Sequence, residues 1–207
     1  MNQKITLQFH NVTFGYDKPL LEQFQFSFEK EGIYSLLGKS GCGKTTFLKL
    51  ISGLLLPQSG SVIHSAKKIS FLFQENRLLP WLTVLDNLLI VTKDRQYCLF
   101  LLKELELLGT ENKMPSALSG GMLRRVALAR ALAYDGDIFL LDEPFTGIDT
   151  ERKQHIMLLL QKKMTHKICI FVTHHIQEAL SVSSHIYTLE KSTLKPVSPS
   201  FFVEESC

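Results

Sequence analysis

The sequence predicts an α/β fold in which helices cover a mostly parallel sheet. Short apolar runs typical of buried strands occur at residues 33–37, 138–141 and 168–172. Apolar residues at helical spacing follow the last two runs, at about residues 151–164 and 176–182. A glycine-rich loop leads from the first run into a further helix. Strands that alternate with helices form parallel sheets, because each helix returns the chain to the edge where the previous strand began.

The N-terminal third has a different pattern. Apolar and polar residues alternate at 5–9 and 24–28, as in strands with one buried face. Apolar residues at helical spacing start after Gly43, and this helix is expected to continue to the break at Pro57. A further short strand is predicted at residues 60–63.

The middle of the chain interrupts the alternation. A strand is predicted at residues 69–73, and leucines at three- and four-residue spacing predict helices between residues 83 and 108. These helices are expected to form a separate lobe. The last predicted strand spans residues 186–189, and residues 195–207 are expected to be a short tail.

Composition excludes several classes of protein. The 207 residues are 45% hydrophobic, enough for one sizeable core, and the formal charge of +3 is too small and dispersed to indicate nucleic-acid binding. The four cysteines are far apart and form no CxxC pair, which argues against a disulfide framework. No apolar run approaches the roughly 18 residues that span a bilayer. Work at a membrane would therefore require a partner that holds the chain there.

A glycine-rich loop before the first helix is typical of phosphate binding. Residues 38–45, called the phosphate loop below, match G-x-x-x-x-G-K-[ST] with Gly38, Lys39, Ser40, Gly41, Cys42, Gly43, Lys44 and Thr45. Glycines let backbone N–H groups point at phosphate oxygens, Lys44 supplies a positive charge, and the Thr45 hydroxyl can ligate Mg²⁺. Thr46 is also expected to bind the phosphates. Cys42 is expected to be in the loop because it is small, and not for redox chemistry.

Two adjacent carboxylates end an apolar strand. Asp142 and Glu143 follow the run at 138–141, where charge is tolerated only beside a cation or a cleft. Adjacent residues on a strand point to opposite sides, so different roles are expected. We expect Asp142 to hold Mg²⁺ and Glu143 to orient or deprotonate an attacking water.

A second phosphate-binding element is predicted at the start of another helix. Ser119, Gly120 and Gly121 precede apolar helical spacing, and a helix start with small residues offers free N–H groups to an anion. One chain therefore has two phosphate-binding elements.

Together these motifs resemble the nucleotide-binding subunit of an ABC transporter, over nearly the whole length. The resemblance implies a P-loop NTPase fold with an N-terminal antiparallel β subdomain and an inserted helical lobe. It implies one nucleotide-binding domain at 1–207, with the lobe at about 76–134 and no C-terminal regulatory domain. It also implies a homodimer or pseudo-homodimer formed with ATP, in which the Ser119 helix start of one copy contacts ATP on the phosphate loop of the other.

The resemblance assigns four further residues. Tyr16 matches the aromatic that stacks on adenine, although a core tyrosine is the alternative. Gln74 matches the glutamine that reaches Mg²⁺ and the water. His174 matches the histidine that contacts the γ-phosphate and helps to position Glu143. Asp149 matches a loop that crosses the dimer interface, and a helix N-cap explains the same residue equally well.

Some positions depart from the common family pattern. Met122 and Arg124 stand where many members have glutamine, and His175 replaces a common acid. Met122 also recurs in the nitrate, sulfonate and taurine importers, whose sequence is similar to residues 74–88.

The resemblance therefore implies an ATPase that energises uptake of a small solute. Permease subunits would dock at exposed apolar residues near Trp81, although packing within the lobe could bury the same residues. A separate solute-binding protein and a peripheral location on the cytoplasmic face of the membrane are implied, without nucleic acid. An ABC exporter or lipoprotein-release ATPase is the main alternative. A soluble ABC ATPase and a monomeric P-loop kinase fit the motifs less well.

Overall fold

The computed structural model describes residues 4–39, 41–190 and 192–197. The strands in these ranges are β1 (Leu7–Gly15), β2 (Pro19–Phe28), β3 (Gly32–Leu37), β4 (Ser59–His64), β5 (Ile69–Leu72), β6 (Ile138–Asp142), β7 (Ile168–Val172), β8 (His185–Glu190) and β9 (Thr193–Pro196). The α-helices are α1 (Lys44–Ile51), α2 (Val84–Leu89), α3 (Arg95–Glu104), α4 (Gly120–Tyr134), α5 (Thr150–Lys163) and α6 (Ile176–Val182). Over the described residues, none of the helices has both the length and the apolar character that crossing a bilayer requires.

The larger sheet confirms the predicted parallel arrangement. Its strand order is β5-β6-β7-β3-β8-β9, and only the pairing of β9 with β8 is antiparallel. The carboxyl ends of β3, β5, β6 and β7 therefore meet at one edge of the sheet. The phosphate loop, Gln74, the two carboxylates and His174 follow these four strand ends.

Alternate residues of the central strands enter two different cores. Ile138 and Leu140 pack with β1, β2 and α1, whereas Phe139 and Leu141 pack with the helices α2 to α5. This alternation is the pleat of a strand that is buried on both faces. The inserted helices thus share a hydrophobic core with one face of the sheet.

The smaller sheet is antiparallel and is anchored to α1. Its order is β2-β1-β4. The fully buried Phe47 ring stacks on Phe9 with centroids 4.7 Å apart and meets Phe24 and Phe28 edge-on at 5.8 and 6.4 Å. The helix that follows the phosphate loop is therefore fixed from both sheets.

Two element boundaries differ from the sequence prediction. Helix α1 ends at Ile51, because Gly53 adopts a left-handed conformation with φ of 72°, well before Pro57. The helices predicted between residues 83 and 108 are confirmed as α2 and α3. Residues 195 and 196, predicted as tail, belong to β9, whose pairing with β8 has no local signal. Residues 198–207 of the predicted tail lie outside the described residues.

Replacing Phe47 by Ala should lower the free energy of unfolding by about 3–5 kcal/mol, because it opens a cavity between the two sheets. Chemical denaturation measures this change. Phe100→Ala is the control, since that ring is 47% exposed, and its loss should be below about 1 kcal/mol. Equal losses in the two variants would contradict the shared core at Phe47.

Candidate functional site

A cleft of about 540 Å³ opens at the carboxyl edge of the parallel sheet, a size typical of small-molecule sites. It brings together most of the residues predicted from the sequence. Its lining consists of Gly41, Gly43, Lys44, Thr45, Thr46, Gln74, Asp142, Glu143, Thr146 and His174.

The phosphate loop ends at a helix start that exposes backbone donors. Gly43 is the N-cap of α1 with φ of 98°, and no side chain caps the first N–H groups of the helix. A Cβ atom at this position would lie 2.2 Å from Leu20 Cδ1, so any other residue would have to displace Leu20 as well as adopt a left-handed conformation. Uncapped N–H groups at a helix start favour an anion.

Lys44 lies buried under the phosphate loop. Its ammonium donates hydrogen bonds to the carbonyl oxygens of Gly38 at 2.7 Å and Lys39 at 3.0 Å. Cys42 packs closely here, since a Cβ on Gly38 would lie 2.6 Å from Cys42 Sγ. Carbonyl oxygens are neutral, so a charged phosphate oxygen is a stronger acceptor for the same ammonium. Ser40 of the predicted set lies outside the described residues.

A hydrogen bond joins the phosphate loop to the end of β6. Thr45 Oγ1 donates to Asp142 Oδ2 at 2.7 Å. Burial raises the pKa of the Asp142 carboxyl, and the hydrogen bond from Thr45 opposes that shift. A hydroxyl and a carboxylate, with Gln74 in the same cleft, supply the oxygen ligands that Mg²⁺ prefers.

Glu143 directly follows Asp142 and pairs with His174. Glu143 lies beyond the end of β6 in a left-handed conformation with φ of 50°, and it lines the cleft. Its Oε1 lies 2.8 Å from His174 Nδ1. Its backbone N–H donates to the Val172 carbonyl at 2.9 Å, which ties the turn to β7. The two carboxylates thus have different neighbours.

The structure places the other predicted residues outside the cleft. Tyr16 is 69% exposed, with its ring edge-on to Phe14 at 5.3 Å between centroids. Ser119 and Gly120 begin α4, and Ser119 Oγ accepts a hydrogen bond from the Met122 N–H at 3.3 Å. This helix start does not contribute to the lining of the cleft.

The start of α4 packs against the loop that follows Glu143. A Cβ on Gly121 would lie 2.5 Å from the Gly147 carbonyl oxygen, so the close approach requires glycine. Further along this loop, Asp149 is the N-cap of α5 and accepts from the Arg152 N–H at 3.1 Å. Hydrogen bonds from Arg152 lower the pKa of the Asp149 carboxyl.

Sequence reasoning missed residues that hold the loop carrying His174. The neighbouring Thr173 hydroxyl donates to Glu178 Oε2 at 2.7 Å, and Lys153 Nζ donates to Glu178 Oε1 at 2.8 Å. This buried network connects α5 and α6 to the histidine loop. Thr146 of the cleft wall was missed as well. The local sequence pattern predicts neither the network around Glu178 nor the position of Thr146 in the cleft wall.

Comparison with known proteins gives one family. A family model described as "ABC transporter" matches residues 21–146. The aliphatic sulfonates import ATP-binding protein SsuB 1 of Shouchella clausii is 37% identical over 180 residues, which cover 84% of this chain and 73% of the relative. SsuB 2 of Pseudomonas syringae pv. tomato is 41% identical over 175 residues, covering 82% of this chain and 75% of the relative.

Solved structures agree. The dimeric structure of a post-hydrolysis state of the ATP-binding cassette MJ0796, bound to ADP and Pi, matches with a TM-score of 0.83 and 31% identity. The match covers 93% of this chain and 98% of that one. A second dimeric structure of MJ0796 matches with a TM-score of 0.80 and 30% identity, covering 91% and 96% of the two chains.

Replacing Asp142 by Asn should raise the thermal midpoint of the nucleotide-free protein at about pH 7. Because the folded-state pKa is raised, the folded chain binds the proton more tightly than the unfolded chain. Unfolding free energy therefore falls as pH rises through the ordinary pKa, and the loss is complete above the raised one. The asparagine side chain has no charge, so the variant does not lose this unfolding free energy. The difference in thermal midpoint between the variant and the wild type should shrink as the pH is lowered toward about 4.

The exposed Asp17→Asn variant controls for the general loss of one negative charge and should leave the midpoint unchanged. A lower midpoint for Asp142→Asn than for the wild type at about pH 7 would show that the buried charge is stabilising, against this account.

Proposed function

This chain belongs to the ABC transporter family and is one of its ATP-hydrolysing subunits, and from this premise we propose that it energises the import of a small solute. The proposed solute class resembles nitrate, sulfonates and taurine. One observation supports both the direction of transport and the class of solute. It is the sequence identity of about 40% to proteins named as aliphatic sulfonates import ATP-binding proteins. This identity extends over most of both chains.

ATP binds, in this proposal, with its phosphates on the phosphate loop and its adenine against Tyr16. The uncapped N–H groups at the start of α1 and the residues Gly41, Gly43 and Lys44 lie at the cleft. With the backbone of Gly38 they would face the phosphate oxygens. Thr45, Gln74 and Asp142 would hold Mg²⁺, whose charge offsets that of the phosphates. The exposed Tyr16 ring offers a face for stacking.

Hydrolysis uses the Glu143 and His174 pair. Glu143 accepts a hydrogen bond from a water and aligns it with the γ-phosphorus, and the proton passes to the carboxylate as the water oxygen bonds to phosphorus. The bond from the γ-phosphorus to the oxygen of ADP breaks, and ADP leaves with that electron pair. His174 fixes the carboxylate at 2.8 Å and approaches the γ-phosphate. Gln74 also contacts the water.

The reaction centre is shared between two copies. Ser119, Gly120 and Gly121 do not line the cleft of their own chain, and the α4 start that they form is a helix N-terminus suited to phosphate. In a head-to-tail dimer this helix start contacts the γ-phosphate of ATP bound to the other copy. Asp149 lies in the loop beside Gly121 and would reach the same interface. The dimeric cassettes of similar fold support this arrangement.

One nucleotide-binding domain at 1–207, with an inserted helical subdomain at about 76–134, completes the proposal. Trp81 is 68% exposed and lies in this lobe beside half-buried Leu78 and Leu79, which suits a groove for a helix of a membrane permease. The chain would work as a peripheral subunit on the cytoplasmic face, with a separate solute-binding protein.

The variant Glu143→Gln tests this function. It keeps the phosphate-binding residues, so ATP should still bind and close the dimer, while hydrolysis falls at least about 100-fold. Gel filtration with light scattering, with and without ATP, measures the closed dimer. In cells from which the gene has been deleted, expression of the wild-type chain should restore uptake of a labelled alkanesulfonate. Expression of Glu143→Gln should not restore it.

The exposed Glu22→Gln variant on β2 is the matched control and should hydrolyse ATP as the wild type does. A Glu143→Gln protein that elutes only as a monomer with ATP would overturn the shared site. Normal alkanesulfonate uptake without any copy of this gene would overturn the import assignment.

A further inference from the structure

Arg124 is a buried cation beside the reaction centre. It lies in the first turns of α4, five residues after Ser119, and is only 3% exposed. Burial lowers the pKa of its guanidinium to about 10, and the nearby Asp142 and Glu143 carboxylates oppose that shift. The side chain is therefore charged at neutral pH. Nothing in the proposed chemistry so far uses this cation.

One side of the Arg124 guanidinium holds the loop of Gln74. Its Nη1 atom donates to the Phe73 carbonyl at 2.7 Å, to the Gln74 carbonyl at 3.1 Å and to Asn76 Oδ1 at 3.2 Å. These acceptors lie on the segment that follows β5. The backbone of Gln74 is thus attached to α4.

The other side holds the turn of Glu143. Its Nη2 atom donates to the Glu143 carbonyl at 3.0 Å and to the Asp142 carbonyl. The left-handed conformation of Glu143 is unfavourable for a residue other than glycine and persists only when its surroundings fix it. The orientation of this backbone sets the direction of the side chain that meets His174.

We propose that Arg124 is a positioning residue for ATP hydrolysis, which locks the Glu143 turn and the Gln74 loop to the helix whose start binds the phosphate on the other copy. The inference rests on the proposed function, since it acts through the roles given there to Glu143 and Gln74. In this chain the planar guanidinium presents N–H groups to both loops at once. A glutamine has two donors on one nitrogen, and a lysine has a single ammonium.

The test is steady-state ATP hydrolysis by Arg124→Gln and Arg124→Lys. Both should lower kcat about tenfold to a hundredfold, because the Glu143 carboxylate loses its fixed position. The KM for ATP should change less than about threefold, since no phosphate-binding group is altered. Lysine should fail to restore kcat although it keeps the charge.

Arg125→Gln is the matched control. Arg125 is the next residue of α4, is 7% exposed, and donates to the carbonyls of Leu105 and Glu106 at 2.7 and 2.9 Å, away from the cleft. Loss of a buried arginine destabilises both variants, so thermal midpoints are measured and rates are compared well below the lowest midpoint. Arg125→Gln should change kcat by less than about threefold.

A double-mutant cycle with Glu143→Gln separates positioning from general destabilisation. If Arg124 acts through Glu143, then Arg124→Gln should lower the residual rate of Glu143→Gln by a smaller factor than it lowers the wild-type rate. Arg125→Gln should have the same small effect in both backgrounds. These residual rates are measured with ATP labelled at the γ-phosphate.

Three results would overturn the inference. The first is a wild-type kcat in Arg124→Gln or Arg124→Lys, and the second is an equal loss of kcat in Arg124→Gln and Arg125→Gln. The third is that Arg124→Gln lowers the hydrolysis rate by the same factor in the wild-type protein and in Glu143→Gln. A normal rate in Arg124→Gln beside an inactive Glu143→Gln would overturn only the role of Arg124. Normal hydrolysis by Glu143→Gln would instead overturn the proposed function.

Discussion

The hydrogen bond between Thr45 and Asp142 is the interaction on which the site depends. It joins the helix after the phosphate loop to the end of β6, at a place where the Asp142 carboxyl is buried and its pKa is raised. A buried charge is destabilising unless a partner is present, and Mg²⁺ with a phosphate would supply one. Nucleotide binding then relieves an unfavourable feature of the free protein. Part of the stability of the cleft is thus linked to its ligand.

The parallel sheet makes this hydrogen bond and its neighbours possible. Asp142 of β6 pairs with Val172 of β7, so Glu143, one residue after Asp142, and His174, two residues after Val172, emerge close enough to pair. The antiparallel sheet and Phe47 fix α1 from the opposite face. The positions of the reacting groups follow from strand order and not from any single loop. The start of α4 is the exception, because it lies outside the cleft of its own chain, and the phosphate contact proposed for it would need a second copy.

Sequence patterns were sufficient for the parallel sheet, the family and the proximity of the phosphate loop to Asp142. These features follow from apolar runs and from a motif whose backbone conformation is encoded by glycines. Other features depend on tertiary contacts. The early end of α1 at Gly53, the strand β9 and the left-handed turn at Glu143 are set by backbone conformation that periodicity does not record. Arg124 was visible as a departure from glutamine, yet its acceptors come from two loops that are distant in sequence.

The shared reaction centre is tested most directly by mixing two inactive chains. Lys44→Ala removes the phosphate-binding cation, while Ser119→Asp keeps a good N-cap for α4 and adds a negative charge that repels phosphate. In a head-to-tail dimer of one chain of each kind, one site carries both changes and the other carries neither. The account predicts that the mixture regains ATP hydrolysis, up to about a quarter of the wild-type rate, because half of the dimers are mixed and each has one intact site. A mixture as inactive as its two components would contradict the account.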